Sequence, residues 1–148
     1  MSHRGFTFIE MLIVFIIVGL IAAFGLPSIR NAIQSSNVRS ARAEMGTLAA
    51  KARAIAVARG CVDTLHVSSG TAGTAWITSC KVTGAGLDTV GGVEFDASRW
   101  NVSVTPSRTN YIYDPRGIMV GYQAGTIVFT YGTSHDSVTI NAVGKVTH

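Results

Sequence analysis

Recognisable catalytic and metal-binding groupings are what this 148-residue sequence lacks. His3, His66, His135 and His148 lie far apart with no HxxxH or HExxH spacing, so no familiar zinc signature is present and lone surface histidines are the expectation. The two cysteines, Cys61 and Cys80, are too few to hold a metal by themselves. Ser134-His135-Asp136 has the residue types of a hydrolase triad, but a triad is a convergence in space, and three consecutive side chains do not all converge. A polar hairpin turn over Gly132 to Asp136 is expected instead. Gly84-Ala85-Gly86-Leu87-Asp88-Thr89 lacks the third glycine of a dinucleotide loop and sits in no βαβ unit, which predicts a flexible loop. Asp88, Glu94 and Asp96 do not follow the D-x-D-x-D order of a calcium loop and fit an exposed loop and strand. The expectation is a protein that is not an enzyme and carries neither metal nor cofactor.

Charge is sparse as well, and unevenly placed. Residues 1 to 60 hold seven Lys/Arg against two Glu, whereas residues 61 to 148 hold five against six acids, so the basic character belongs to the first part alone. Recognition of nucleic acid or anionic lipid needs cations clustered on an accessible face. The second half shows no such cluster in sequence. A DNA receptor would require Arg99, Arg108, Arg116 and Lys145 to converge on folding, and this is kept as one rival function class, with a membrane-tethered enzyme as another. Arg39, Arg42 and Arg53 fall within about 60° of one another at 3.6 residues per turn. With no aromatic interleave or glycine-rich nest beside them, they predict a solvated or subunit-facing flank.

What the sequence does contain is a long apolar run. From Phe6 to Leu26 every residue is apolar, Gly or Thr except Glu10. As a helix rising ~1.5 Å per residue the run measures about 31 Å, the thickness of a bilayer core. A carboxylate inside it costs about 2.5 to 3.5 kcal/mol on insertion scales and calls for a partner. The run offers no cation. Cutting the chain between Gly5 and Phe6 supplies one, because Phe6 then carries an amino terminus one helical turn from Glu10.

Arg4-Gly5-Phe6-Thr7-Phe8-Ile9-Glu10 followed by an apolar helix resembles the type IV prepilin family, which includes the pseudopilins of type II secretion. The resemblance implies that a prepilin peptidase cuts after Gly5 and methylates the Phe6 amine, and that Glu10 pairs with the amine of a neighbouring subunit during assembly. It further implies other pilin or pseudopilin subunits, an inner-membrane assembly platform and membrane lipid as partners, with a periplasmic C-terminal domain. An ordinary signal peptide fits poorly, since only five residues precede the apolar core and Leu26-Pro27-Ser28 follows it. Arg30, Arg39 and Arg42 lie beyond the run, so the positive-inside rule by itself does not orient the chain, and the orientation rests on the resemblance.

Pro27 removes a backbone donor and predicts a helix kink near residue 27. Beyond it Val38, Ala41, Met45, Leu48, Ala52 and Ile55, with Ala49 and Ala56 beside them, recur at intervals of three and four and mark an amphipathic helix. Arg59 and then Gly60 read as a cation at the helix end and an αL stop. On an exported domain Cys61 and Cys80 are expected to pair. The loop of about 20 residues that they close is worth ~3 kcal/mol in the chain-entropy model.

After Cys61 short β-rich runs alternate with turn residues. Strands are expected at Val62 to Val67, Ala75 to Ser79, Gly92 to Asp96, Asn101 to Thr105, Tyr111 to Tyr113, Ile118 to Tyr122, Thr126 to Tyr131, Ser137 to Asn141 and Lys145 to Thr147. Tyr113-Asp114-Pro115-Arg116-Gly117 and the closing Val138-to-Val146 strand-turn-strand resemble the GspH/FimT group of minor pseudopilins and pilins. The predicted class is α+β, a long N-terminal helix packed on a C-terminal antiparallel sheet domain. Its expected divisions are a leader (1–5), a transmembrane or filament-core helix (6–27), an amphipathic stalk (28–60) and a β-rich domain (61–148).

Overall fold

The computed structural model describes residues 6–122 and 124–147. Among them the elements run α1 (Phe8–Arg59), β1 (Asp63–Val67), β2 (Thr74–Cys80), β3 (Leu87–Glu94), β4 (Ser103–Pro106), β5 (Asn110–Tyr113), β6 (Gly125–Tyr131), β7 (Ser134–Ile140) and β8 (Val146–Thr147). The chain divides into two compact units, Met1–Ile33 and Gln34–His148.

The first unit is helical from Phe8, and every side chain from Phe6 to Phe24 is exposed. By length and composition this helix is apolar enough to cross a membrane. Pro27 lies inside α1 without ending it, since a proline forfeits one intrahelical bond while its neighbours keep theirs.

In the second unit α1 becomes amphipathic. Val38, Ala41, Met45, Leu48, Ala49, Ala52 and Ala56 are buried, and Ile55 packs against the same core. Complete burial of a side chain the size of Met45 contributes about 1.5 to 3 kcal/mol. Gly60 follows Arg59 at φ 64°, a left-handed residue that stops the helix cleanly.

The strands form two four-stranded sheets, ordered β3-β2-β1-β5 and β4-β6-β7-β8, with every neighbouring pair antiparallel. A bridge between Gly70 and Val104 links them. Alternation along the strands turns Leu65, Val67, Ile77, Tyr111 and Tyr113 of one sheet inward. Val104, Ile127, Phe129, Val138 and Ile140 of the other face the same core as the helix stripe.

Three local expectations are corrected. Ile118 to Tyr122 is not a strand. Asp114 Oδ1 holds the Ile118 amide, one bridge joins Tyr113 to Met119, and Gly121 and Tyr122 then take positive φ, so the chain turns away after a single pairing. The turn expected over Gly132 to Asp136 is shorter: Tyr131 pairs with Ser134, leaving Gly132-Thr133 as a two-residue loop. Gly132 at φ 58° supplies the positive torsion that a tight hairpin needs at its first central position. Ser134, His135 and Asp136 therefore belong to β7. Of the loop expected over Gly84 to Thr89, Leu87 to Thr89 are strand residues, paired with Cys80, Ser79 and Thr78. A bulge between Ile77 and Thr78 admits that longer pairing.

Candidate assembly site

Gly5, on the leader side of the expected cut, lies outside the described residues. Phe6 precedes the helix and is 74% exposed. Thr7 caps the helix: its carbonyl accepts from the Glu10 amide at 3.1 Å and the Met11 amide at 3.3 Å. Its hydroxyl accepts from the Glu10 amide at 3.4 Å. Thr7-Phe8-Ile9-Glu10 thus has the T-x-x-E order of a capping box, a signal present in the sequence and missed there. The capped turn sets Glu10 at a defined position in the first turn of α1. Phe8, Ile9, Met11 and Leu12 around it are all exposed. Glu10 makes no ion pair among the described residues. The arrangement is a carboxylate on an otherwise apolar, uncovered helical surface.

At the other end of α1, Cys61 and Cys80 are joined by a disulfide across a Cα separation of 6.3 Å. The Arg59 guanidinium donates to the Cys80 carbonyl at 2.7 Å, so the cation at the helix end also ties down β2. Asp63, two residues past the half-cystine, is completely buried, and one of its carboxylate oxygens has no partner. Burial pushes its pKa up, against the opposing pull of the Ser79 hydroxyl and the Arg59 guanidinium.

Asp114-Pro115-Arg116-Gly117 forms the turn after β5. Asp114 Oδ1 accepts from the amides of Arg116 and Ile118, both at 2.9 Å. Its Oδ2 takes the Arg116 guanidinium at 2.9 and 2.8 Å. The Ile118 amide, with the Arg116 contacts, holds the Asp114 pKa below the ordinary carboxylate range.

The four cations of the DNA reading occupy four different connections, Arg99 after β3, Arg108 after β4, Arg116 after β5 and Lys145 after β7. Arg116 is committed to Asp114. On the helix, Arg42 is not simply a solvated flank: it pairs with Asp136 at 3.1 Å, each side chain less than a third exposed. Arg39 and Arg53 are exposed. His66 departs from the lone surface histidine, being hydrogen-bonded at both ring nitrogens and stacked on Trp76. Among the described residues no three His, Cys, Asp or Glu side chains gather where a metal could be held.

Residues 1–26 match the prokaryotic N-terminal methylation motif, and residues 41–144 match the family described as type II transport protein GspH. No curated protein sequence matches the chain significantly. Among solved structures, the Pseudomonas aeruginosa type IV minor pilin FimU superimposes with a TM-score of 0.60 at 13% identity, over 76% of this chain and 87% of that one. A second crystal form of FimU gives 0.57 at 12% identity, over 74% and 90%. At such identity the likeness is one of fold, a long helix on antiparallel sheets. The family match spans most of the chain, and by it this protein belongs to the GspH family of minor pilin and pseudopilin subunits, which assemble with other pilins.

Proposed function

We propose that the chain is made as a prepilin, anchored in the bacterial inner membrane by residues 6–27 with its C-terminal domain in the periplasm. Residues 1–5 are then a leader, 28–60 a stalk and 61–148 the displayed domain. A prepilin peptidase removes the leader after Gly5 and methylates the new Phe6 amine. An inner-membrane platform then feeds the subunit laterally from lipid into a filament, so that apolar contact is kept throughout. Its work is structural, not catalytic.

The observation that carries this reading is Glu10, the lone charge on a helical surface whose side chains from Phe6 to Phe24 are all uncovered. Such a surface needs lipid or other helices around it, and its carboxylate needs a cation, with which no described residue provides it. The amine of a neighbouring subunit meets that need. Mass spectrometry of the native protein is expected to show residues 1–5 absent and one added methyl on Phe6. Glu10→Gln keeps size and helix propensity, so insertion and cleavage persist while the pair is lost. Stranding the buried amine costs about 3 to 5 kcal/mol, a drop of two orders of magnitude or more in filament incorporation. Equal incorporation of the Gln variant, at equal membrane level, removes Glu10 from the mechanism.

A further inference from the structure

The outward face of the β3-β2-β1-β5 sheet carries a built aromatic surface. Alternation sends Leu65, Ala75, Ile77 and Tyr111 inward and therefore turns His66, Trp76, Thr78, Glu94 and Asn110 outward. His66 and Trp76 are register partners, with stacked rings whose centroids lie 5.0 Å apart and whose planes differ by 15°. The imidazole is pinned at both ends, Nδ1 2.9 Å from Asn110 Oδ1 and Nε2 2.9 Å from Thr78 Oγ1. It is a rigid backing for an indole that remains 36% exposed.

Across the strand from Trp76, on the other side, stands Gly92. A Cβ there would meet the Ala75 carbonyl at 3.1 Å and Trp76 Cβ at 3.3 Å, so the glycine keeps the space beside the indole open. That space is a cleft of about 520 Å³ whose lining includes Thr74, Trp76, Glu94, Ser98 and Arg99, within the range of small-ligand sites.

The far wall is preorganised. Asp96 Oδ1 accepts from the Ser98 amide at 3.1 Å and hydroxyl at 2.6 Å. The Asp96 carbonyl accepts from the amides of Arg99, Trp100 and Asn101. The Arg99 guanidinium lies 4.2 Å above the Trp100 ring, and Trp100 stacks on buried Phe95 at 5.6 Å. Asn37 Nδ2 donates to the Trp100 carbonyl at 2.9 Å. Glu94 and Arg99 flank the cleft, and neither forms an ion pair among the described residues. A planar acceptor, a planar donor and a flat apolar face thus stand around one opening.

We propose that this cleft binds a neutral oligosaccharide. The C–H face of a pyranose ring covers the Trp76 indole. The Arg99 guanidinium donates to adjacent hydroxyl oxygens, and the Glu94 carboxylate accepts from hydroxyl groups. The charges select against a polyanion: the two carboxylates Glu94 and Asp96 line the cleft against the single guanidinium of Arg99, so phosphates are repelled where a base would otherwise stack. A neutral polyol meets no such repulsion, and the preorganised wall lowers the cost of fixing it.

The test uses the full chain in lipid nanodiscs free of sugar-headed detergent. Saturation-transfer NMR is run with three probes: a β-linked glucose hexamer, an N-acetylglucosamine hexamer and a single-stranded oligothymidylate. Saturation is expected to reach the ring C–H protons of at least one hexamer at millimolar concentration. It should fall tenfold or more in Trp76→Ala and in Glu94→Gln, and persist in Trp76→Tyr. If Trp76→Ala fails to fold, Glu94→Gln, which leaves the packing intact, decides. Transfer to neither hexamer, or transfer unchanged in Glu94→Gln, overturns the site. Binding of the oligonucleotide in place of the hexamers overturns the ligand class. The readout needs neither cleavage nor assembly, so its failure leaves the pilin reading untouched.

Discussion

Tyr111 lies over Gly125, and the two show how closely single residues are fitted. A Cβ built at Gly125 would stand 2.6 Å from the Tyr111 ring and 2.8 Å from its hydroxyl. Gly125→Ala is therefore expected to overpack the core and destabilise the domain by about 1 to 3 kcal/mol, read as a lower denaturant midpoint at unchanged slope. Asp63 is the second such residue. Its folded pKa is raised by burial, so the native state holds the proton more tightly than the unfolded chain, whose aspartate titrates near about 3.9. Stability is then greatest at and below that pH and declines as pH rises through the folded pKa. Asp63→Asn removes the titration: the variant is expected to be more stable than the parent at neutral pH, with the difference closing toward pH 4 and below. Paired thermal melts across that range check it, and a constant difference at every pH would sink the assignment.

At the scale of elements, the junction from α1 to β1 concentrates three devices within a few residues: the Gly60 stop, the Arg59 bond to the Cys80 carbonyl and the Cys61–Cys80 disulfide. The link closes a short loop, so its loss frees the unfolded chain by about 3 kcal/mol in the chain-entropy model. Replacing both cysteines by serine is expected to lower the melting temperature markedly while leaving the fold recognisable by circular dichroism. Equal melting of the parent with and without reductant would show that the link does not contribute. The helix stripe and most strands were legible beforehand because one side of each faces the core, and burial writes a period of 3.6 or 2 into the sequence. Ile118 to Tyr122 misled for a reason of the same kind. Met119 is buried between exposed or half-buried neighbours, which imitates alternation, yet the pairing ends after one bridge.

At the scale of the molecule, every buried apolar residue among those described lies from Val38 onward, inside the unit Gln34–His148. A fragment beginning at Gln34 is therefore expected to fold as a soluble domain with one cooperative unfolding transition and the disulfide intact. Size-exclusion chromatography and thermal melting test this; a fragment that aggregates or lacks a cooperative transition contradicts it. Among the described residues the first unit buries no apolar side chain, and its exposed apolar surface calls for lipid or other subunits.

The sequence by itself determined the apolar run with its solitary carboxylate, the helix stripe, the helix stop at Gly60 and the β-rich half, because each is written in local spacing or local torsion. It also held the T-x-x-E cap of Thr7 and Glu10 in plain view. Only the tertiary structure decided which strands are neighbours and which side chains meet across them. His66 and Trp76, ten residues apart, become a stacked pair through one strand register. Asn110 reaches the same imidazole from β5, and Arg42 finds Asp136 across 94 residues of chain. Such meetings depend on the pairing of distant segments. No local period records that pairing, because the energy that selects it comes from burying all the inward faces together.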